Sequence, residues 1–278
     1  MQYLKFRPDA ALRDYVECYY SWQSGNMPVK DLVVESPPNG FCSIVFNSGD
    51  PYFLQNKKHV KLAVPNSFIA GQSIYSYKLF LNGTISLVGI VFKPAALATL
   101  FKLPMFEYTE ERIDLRTALG CRLVDELACK IAAAEDADAR VKLLEAFVLS
   151  HYNREKPKPD YIDYAANLIV EKNGLLNVND LMKDVFMSRR NFERKFFKKV
   201  GLSPKYYARI RRIGYLMNLI AGKKEVEWAA VFSECEYYDQ SHFIKDFLEF
   251  TGRTPQQYLS ENTELATMLD KPIEKPLP

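Results

Sequence analysis

The sequence predicts an α+β protein: an N-terminal antiparallel β-sheet or barrel with flanking helices, then an all-α domain of two helix-turn-helix units joined by a linker helix. Three observations predict it. Residues 31–92 break into short β-branched or aromatic runs separated by turn signals. After residue 160 that pattern gives way to helical periodicity as far as Glu261. Finally, a segment of this helical half recurs 51 residues further on.

The elements follow in chain order. Apolar residues three and four apart predict a first helix over residues 9–20. DLVVE, FCSIVFN, PYFLQ, HVKLAV, SFIAG, YKLFL and TISLVGIVF read as strands, with PPNG, NSGDP and LNGT as turns between them. Helices are expected again over 94–101, 115–134 and 138–152. The charged, proline-broken run NREKPKPD at 153–160 reads as a linker, because proline removes a helix hydrogen bond and clashes with the preceding turn. The domains expected are therefore 1–156 and 157–260, with a proline-rich tail at 261–278 expected to be disordered.

Composition bounds the function. With 278 residues, 48% of them hydrophobic, the chain can bury two cores. Its net charge of +3 is small, but it is uneven: +1 over 1–157, +4 over 158–260 and −2 over the tail. Five scattered cysteines without a CxxC pair suit a reducing compartment and buried thiols. Three isolated histidines give no metal-ligand spacing, so neither a metal nor a cofactor is expected. Nothing resembles a signal peptide or a membrane span, and the expected location is the cytoplasm. Asp50 and Glu35 lie next to turns, but no nucleophile, base and orienting group come together, and no glycine-rich phosphate loop appears; an enzyme is not expected.

The repeat carries the functional information. MSRRNFERKFFKKVGLSPKYY at 187–207 aligns with YDQSHFIKDFLEFTGRTPQQY at 238–258. The identities are Phe192 with Phe243, Phe196 with Phe247, Gly201 with Gly252, Pro204 with Pro255 and Tyr207 with Tyr258. Ser188 and Asp239 are suited to accept from the free N–H groups of a first turn. Phenylalanines at i and i+4 form an inward stripe, and glycine then stops each helix in a left-handed cap before proline opens the next. Each unit is preceded by a short amphipathic run, VNDLMKDVF at 178–186 and WAAVFSEC at 228–235, which completes the helix-turn-helix pattern.

Over residues 160–260 this double unit, with its long intervening helix at Pro204–Ile220 and the ending YYDQSHFIKDF…FTGRTPQQY, resembles the C-terminal DNA-binding domain of the AraC/XylS transcriptional regulators. The resemblance implies a sequence-specific regulator of transcription, an activator, that binds double-stranded promoter DNA. It further allows RNA polymerase, a small-molecule effector and a second copy of the chain as partners. The N-terminal domain would sense an effector or mediate self-association, with residues 115–152 as a dimer contact and strand aromatics such as Phe41, Phe46 and Phe80 available to line a pocket.

By the same resemblance, the first recognition helix contacts DNA through Ser188, Arg189, Arg190, Asn191, Glu193, Arg194, Lys195 and Lys198. Arg190 and Arg194 can each donate bidentately to a guanine. Glu193 either accepts from a cytosine amino group or pairs with a neighbouring arginine. Ten basic residues and one acidic residue between Ser188 and Arg212 extend the positive charge along the linker helix through Arg209 and Arg212. The second helix offers Gln240, Ser241, His242 and Lys245, with His242 open to a cap or solvated role as well. Residues 225–250, however, carry seven acids and one base. Phe232 and Met182 stand where the family has small residues, and Glu236 stands where it has a turn glycine. These departures leave a rival reading: an interaction module whose second unit does not bind DNA by itself.

Overall fold

The computed structural model describes residues 1–25, 27–183, 187–223, 225–261 and 273–275. Eleven strands are described: β1 (Gln2–Phe6), β2 (Val16–Gln23), β3 (Val29–Ser36), β4 (Cys42–Asn47), β5 (Phe53–Gln55), β6 (Leu62–Ala63), β7 (Ser67–Ala70), β8 (Tyr77–Gly83), β9 (Ser86–Phe92), β10 (Arg112–Asp114) and β11 (Ile273–Lys275). They form two open sheets rather than a closed barrel. One has the order β10-β7-β4-β9-β2-β1-β11, the other β3-β8-β5-β6. Every N-terminal pair is antiparallel; β11, from the tail, pairs in parallel with β1, Leu4 opposite Ile273. Of the tail expected to be disordered, Glu261 ends a helix and residues 262–272 and 276–278 lie outside the described residues.

The larger sheet is the middle of three layers. Ile44 and Phe46 face a core shared with helices α1 (Ala96–Phe101), α3 (Cys121–Ala133) and α4 (Ala137–Glu155), while Val45 between them faces the smaller sheet. Along β9, Val88, Ile90 and Phe92 face the helices and Leu87 the other side. Burial on both faces is why FCSIVFN and SLVGIVF are continuous apolar runs without alternation.

Two helix expectations are corrected. Residues 9–20 contain only a 3-10 turn at Ala10–Leu12, capped by Asp9, before β2 begins. A β-bulge between Val16 and Cys18 puts Val16 and Tyr19, three residues apart, in the same core. The spacing that looked helical comes from that bulge. Residues 115–134 form two helices, α2 (Leu115–Leu119) and α3, because Gly120 between them adopts φ +91°. The linker is shorter than expected: α4 continues to Glu155 and is closed by Lys156, and Asp160 already caps α5 (Tyr161–Glu171) in a capping box with Asp163.

The C-terminal half comprises α5, α6 (Arg189–Val200), α7 (Pro204–Ile220), α8 (Trp228–Glu234), α9 (Gln240–Thr251) and α10 (Pro255–Glu261). Phe192, Phe196, Phe243 and Phe247 are fully buried in one core. Ser188 and Asp239 accept from the backbone N–H groups of Asn191 and His242, and Gly201 and Gly252 close their helices at φ +91° and +74°. The helix expected over 178–186 is a 3-10 turn at Asp180–Met182; residues 184–186 lie outside the described residues.

The N-terminal half packs against both units. Phe106 stacks on Phe197 at 5.5 Å between ring centroids, the Thr109 hydroxyl donates to the Gly201 carbonyl, and Thr99 of α1 joins Lys199 of α6. The loop before β4 meets α7, where the Tyr207 hydroxyl donates to the Gly40 carbonyl at 2.7 Å and Arg211 lies over the Phe41 ring. The second unit is joined through an ion pair between Arg253 and Glu35 and a bond from the Ser76 N–H to the Phe250 carbonyl. Burial pushes the Glu35 carboxyl above its ordinary range even though Arg253 opposes the shift.

Candidate nucleic-acid interface

Contacts from the N-terminal half reach α6 through Phe197, Lys199 and Gly201 and join the second unit around the end of α9, at Phe250 and Arg253. One face of α6 and the first half of α9 are open to solvent: Ser188, Arg189, Arg190, Glu193, Arg194, Lys195 and Lys198 are exposed, as are Gln240, Ser241, His242 and Lys245. Arg189 and Glu193 of α6 and His242 of α9 line one cleft of about 590 Å³ between the two units, together with Lys205, Arg209 and Arg212 of α7.

Along α6 the exposed side chains are partly organised by one another. Arg189 pairs with Glu193 at 2.9 Å, the second of the two roles open to that glutamate. Arg194 donates to the Asn191 side-chain oxygen at 2.9 Å, which steers its guanidinium along the helix surface while leaving donors free. Among the described residues Arg190 forms no hydrogen bond or ion pair, and neither do Lys195 and Lys198. These five cations thus form a dense, largely unneutralised surface with fork-shaped donors suited to phosphates or base edges.

The cations of α7 are differently engaged. Arg209, expected to face DNA, is fastened to α9: it donates to Asp246 at 2.7 Å and to Glu249 at 2.5 Å and lies over the Tyr206 and Phe250 rings. Burial alone would lower the pKa of its guanidinium, but the two carboxylates hold it above the ordinary value. Arg212 lies over Tyr237 and donates to the Gly174 carbonyl at 3.4 Å. Lys199 bonds Asp163 at 2.6 Å, Asp160 at 3.0 Å and the Thr99 hydroxyl at 3.0 Å. The Asp160 carboxyl, which burial would raise, is held below its ordinary range by that lysine. The continuous basic surface expected from Ser188 to Arg212 therefore narrows to α6 and Lys205. A sequence signal for the role of Arg209 existed: Asp246 falls on the inward stripe, three residues after Phe243, where a carboxylate needs a cation.

In the second unit His242 packs edge-on against Tyr237 and sits 3.8 Å from Asp246, while Gln240, Ser241 and Lys245 have free side-chain donors. Phe232 is accommodated in the aromatic core, 4.5 Å from Phe243 between centroids. Glu236, in the turn between α8 and α9, adopts φ +51°, a left-handed conformation that strains a side chain with a Cβ. Glu236→Gly is therefore expected to stabilise the second unit by about 1 kcal/mol, seen as a rise in its thermal unfolding midpoint.

Residues 4–114 match the family model of a domain of unknown function (DUF6597), and residues 181–261 that of a helix-turn-helix domain. No curated protein matches the chain. Among solved structures it is similar to ToxT from Vibrio cholerae, at 12% identity over 88% of this chain and 98% of that one, with a TM-score of 0.46. A second ToxT structure gives 13% identity over 88% and 97%, TM-score 0.45. ToxT bound to an unsaturated fatty acid gives 14% over 87% and 93%, TM-score 0.43. Among the described residues no helix is long and apolar enough to cross a membrane. The two capped, glycine-terminated units and the long helix between them agree with the family match, and residues 181–261 are an AraC-type helix-turn-helix domain.

Proposed function

We propose that this protein is a cytoplasmic, sequence-specific transcription regulator, an activator, that reads promoter DNA chiefly through α6. The observation that carries the reading is the exposed face of α6, where Arg190 and Arg194 have free guanidinium donors and Lys195 and Lys198, further along the helix, are available for phosphate contact. The second unit reads a neighbouring segment through Gln240, Ser241 and Lys245, and its acidity makes that contact the weaker of the two. The N-terminal half, packed against both units at sites away from the first turns of α6 and α9, is placed to transmit a bound effector or a second copy to the spacing of the two helices.

Selection of genomic fragments by the full chain, followed by footprinting, tests this. Two adjacent protected segments on one face of the duplex are expected, with affinity falling steeply as salt rises. Arg190→Ala and Arg194→Ala should each cost about 1–3 kcal/mol and relax preference at one base pair. Failure of the wild-type chain to retain any fragment at low salt would overturn the proposal.

A further inference from the structure

We propose that Arg209 is a positioning residue that sets the second recognition helix against the first, and that it makes no direct contact with DNA. The inference rests on the DNA-binding reading above. Two geometric facts carry it. Asp246 is 1% exposed on its side chain and Arg209 24%, so Arg209, although it borders the cleft between the units, has its guanidinium turned onto a buried carboxylate of α9. The guanidinium also engages two carboxylates one turn apart on α9, and Glu249 is itself bonded by the Tyr206 hydroxyl at 2.8 Å, so α7 grips α9 through two of its residues, Tyr206 and Arg209.

The internal repeat fills the same two positions differently in its two units. In the alignment Asp246 stands where the first unit has Lys195, and Glu249 where it has Lys198. The first unit leaves those two lysines exposed for an anion. The second has acids at both places and satisfies them internally with Arg209. Two free carboxylates there would repel phosphate, so the same arginine both fixes the helix and neutralises most of that repulsion. The planar fork of arginine matters here, because a lysine ammonium cannot engage both carboxylates with the same fixed geometry.

Three variants of the full chain separate positioning from contact: Arg209→Gln, Arg209→Lys and the isosteric pair Asp246→Asn with Glu249→Gln. Each is titrated against a duplex selected by the wild-type chain and against the same duplex cut back to the segment protected by α6. Positioning predicts that Arg209→Gln and the Asp246/Glu249 pair bind the full duplex 10-fold or more weakly, near the level of the short one, with affinity for the short duplex unchanged and Arg209→Lys intermediate. The Asp246/Glu249 pair is decisive because electrostatics alone predicts the opposite: removing two acids should tighten binding. Tighter binding by that pair, or an equal loss on both duplexes with the salt slope reduced by about one in Arg209→Gln, overturns the proposal in favour of direct phosphate contact. Variants indistinguishable from wild type also overturn it. A wild-type chain that selects no duplex sinks the DNA-binding reading and this inference with it. Should Arg209→Gln fail to fold, the isosteric pair still decides.

Discussion

Lys199→Ala is expected to lower the stability of the folded chain by roughly 3 kcal/mol, the scale for removing one partner of a buried ion pair. Lys199 is held by Asp163, whose side chain is 6% exposed, and by Asp160 and Thr99, so truncation strands a carboxylate inside the protein. Thr99, itself buried, donates to the other Asp163 oxygen at 2.6 Å, and this extends the loss across the boundary between the two halves. Denaturant unfolding of Lys199→Ala and of Lys199→Met combined with Asp163→Asn checks the cause: the double variant removes the stranded charge and should recover more than half of the loss. A single variant as stable as wild type would show that the network contributes little. The same substitution tests the expectation, drawn from the charge between Ser188 and Arg212, that this lysine belongs to the basic surface, since a phosphate contact would be lost without loss of stability.

Gly201→Ala and Gly252→Ala are expected to differ, although the two glycines occupy the same place in the repeat. Both sit at positive φ, so alanine at either incurs about 1–2 kcal/mol of backbone strain. A Cβ on Gly252 would meet nothing within 4 Å, and strain is its whole cost. A Cβ on Gly201 would stand 2.8 Å from the Met105 carbonyl oxygen and 2.6 Å from the Thr109 hydroxyl, closer than real Cβ contacts come. Overpacking of that kind adds about 1–3 kcal/mol. Unfolding measurements on the two variants should therefore differ by at least 1 kcal/mol, with Gly201→Ala the worse. Equal losses would mean that the N-terminal half does not press on the end of α6 in solution.

The two glycines mark the boundary between what the chain announces and what it conceals. The repeat, its caps and its phenylalanine stripes were legible because they are local: the N-cap bond spans three residues, the stripe four, and the αL cap one. Hence α7 was expected over Pro204–Ile220 and is found there. The strands of 31–92 were legible as strands, but whether they closed was not, since closure depends on pairing between distant runs such as β2 with β9. The helix expected over 9–20 failed for the same reason: a bulge set by neighbouring strands imitated helical spacing.

At the candidate site, local residue order suffices to make α6 basic, capped and amphipathic, and to make the second unit acidic. Tertiary structure alone decided which cations stay free. Arg190, Lys195 and Lys198 remain in solvent, whereas Lys199, Arg209 and Arg212 are drawn onto carboxylates, carbonyls and rings 36 or more residues away, or onto a ring 25 residues away. A charge near the core cannot stay unpaired, so its partner is fixed by which helix packs beside it, and a one-dimensional pattern does not contain that information.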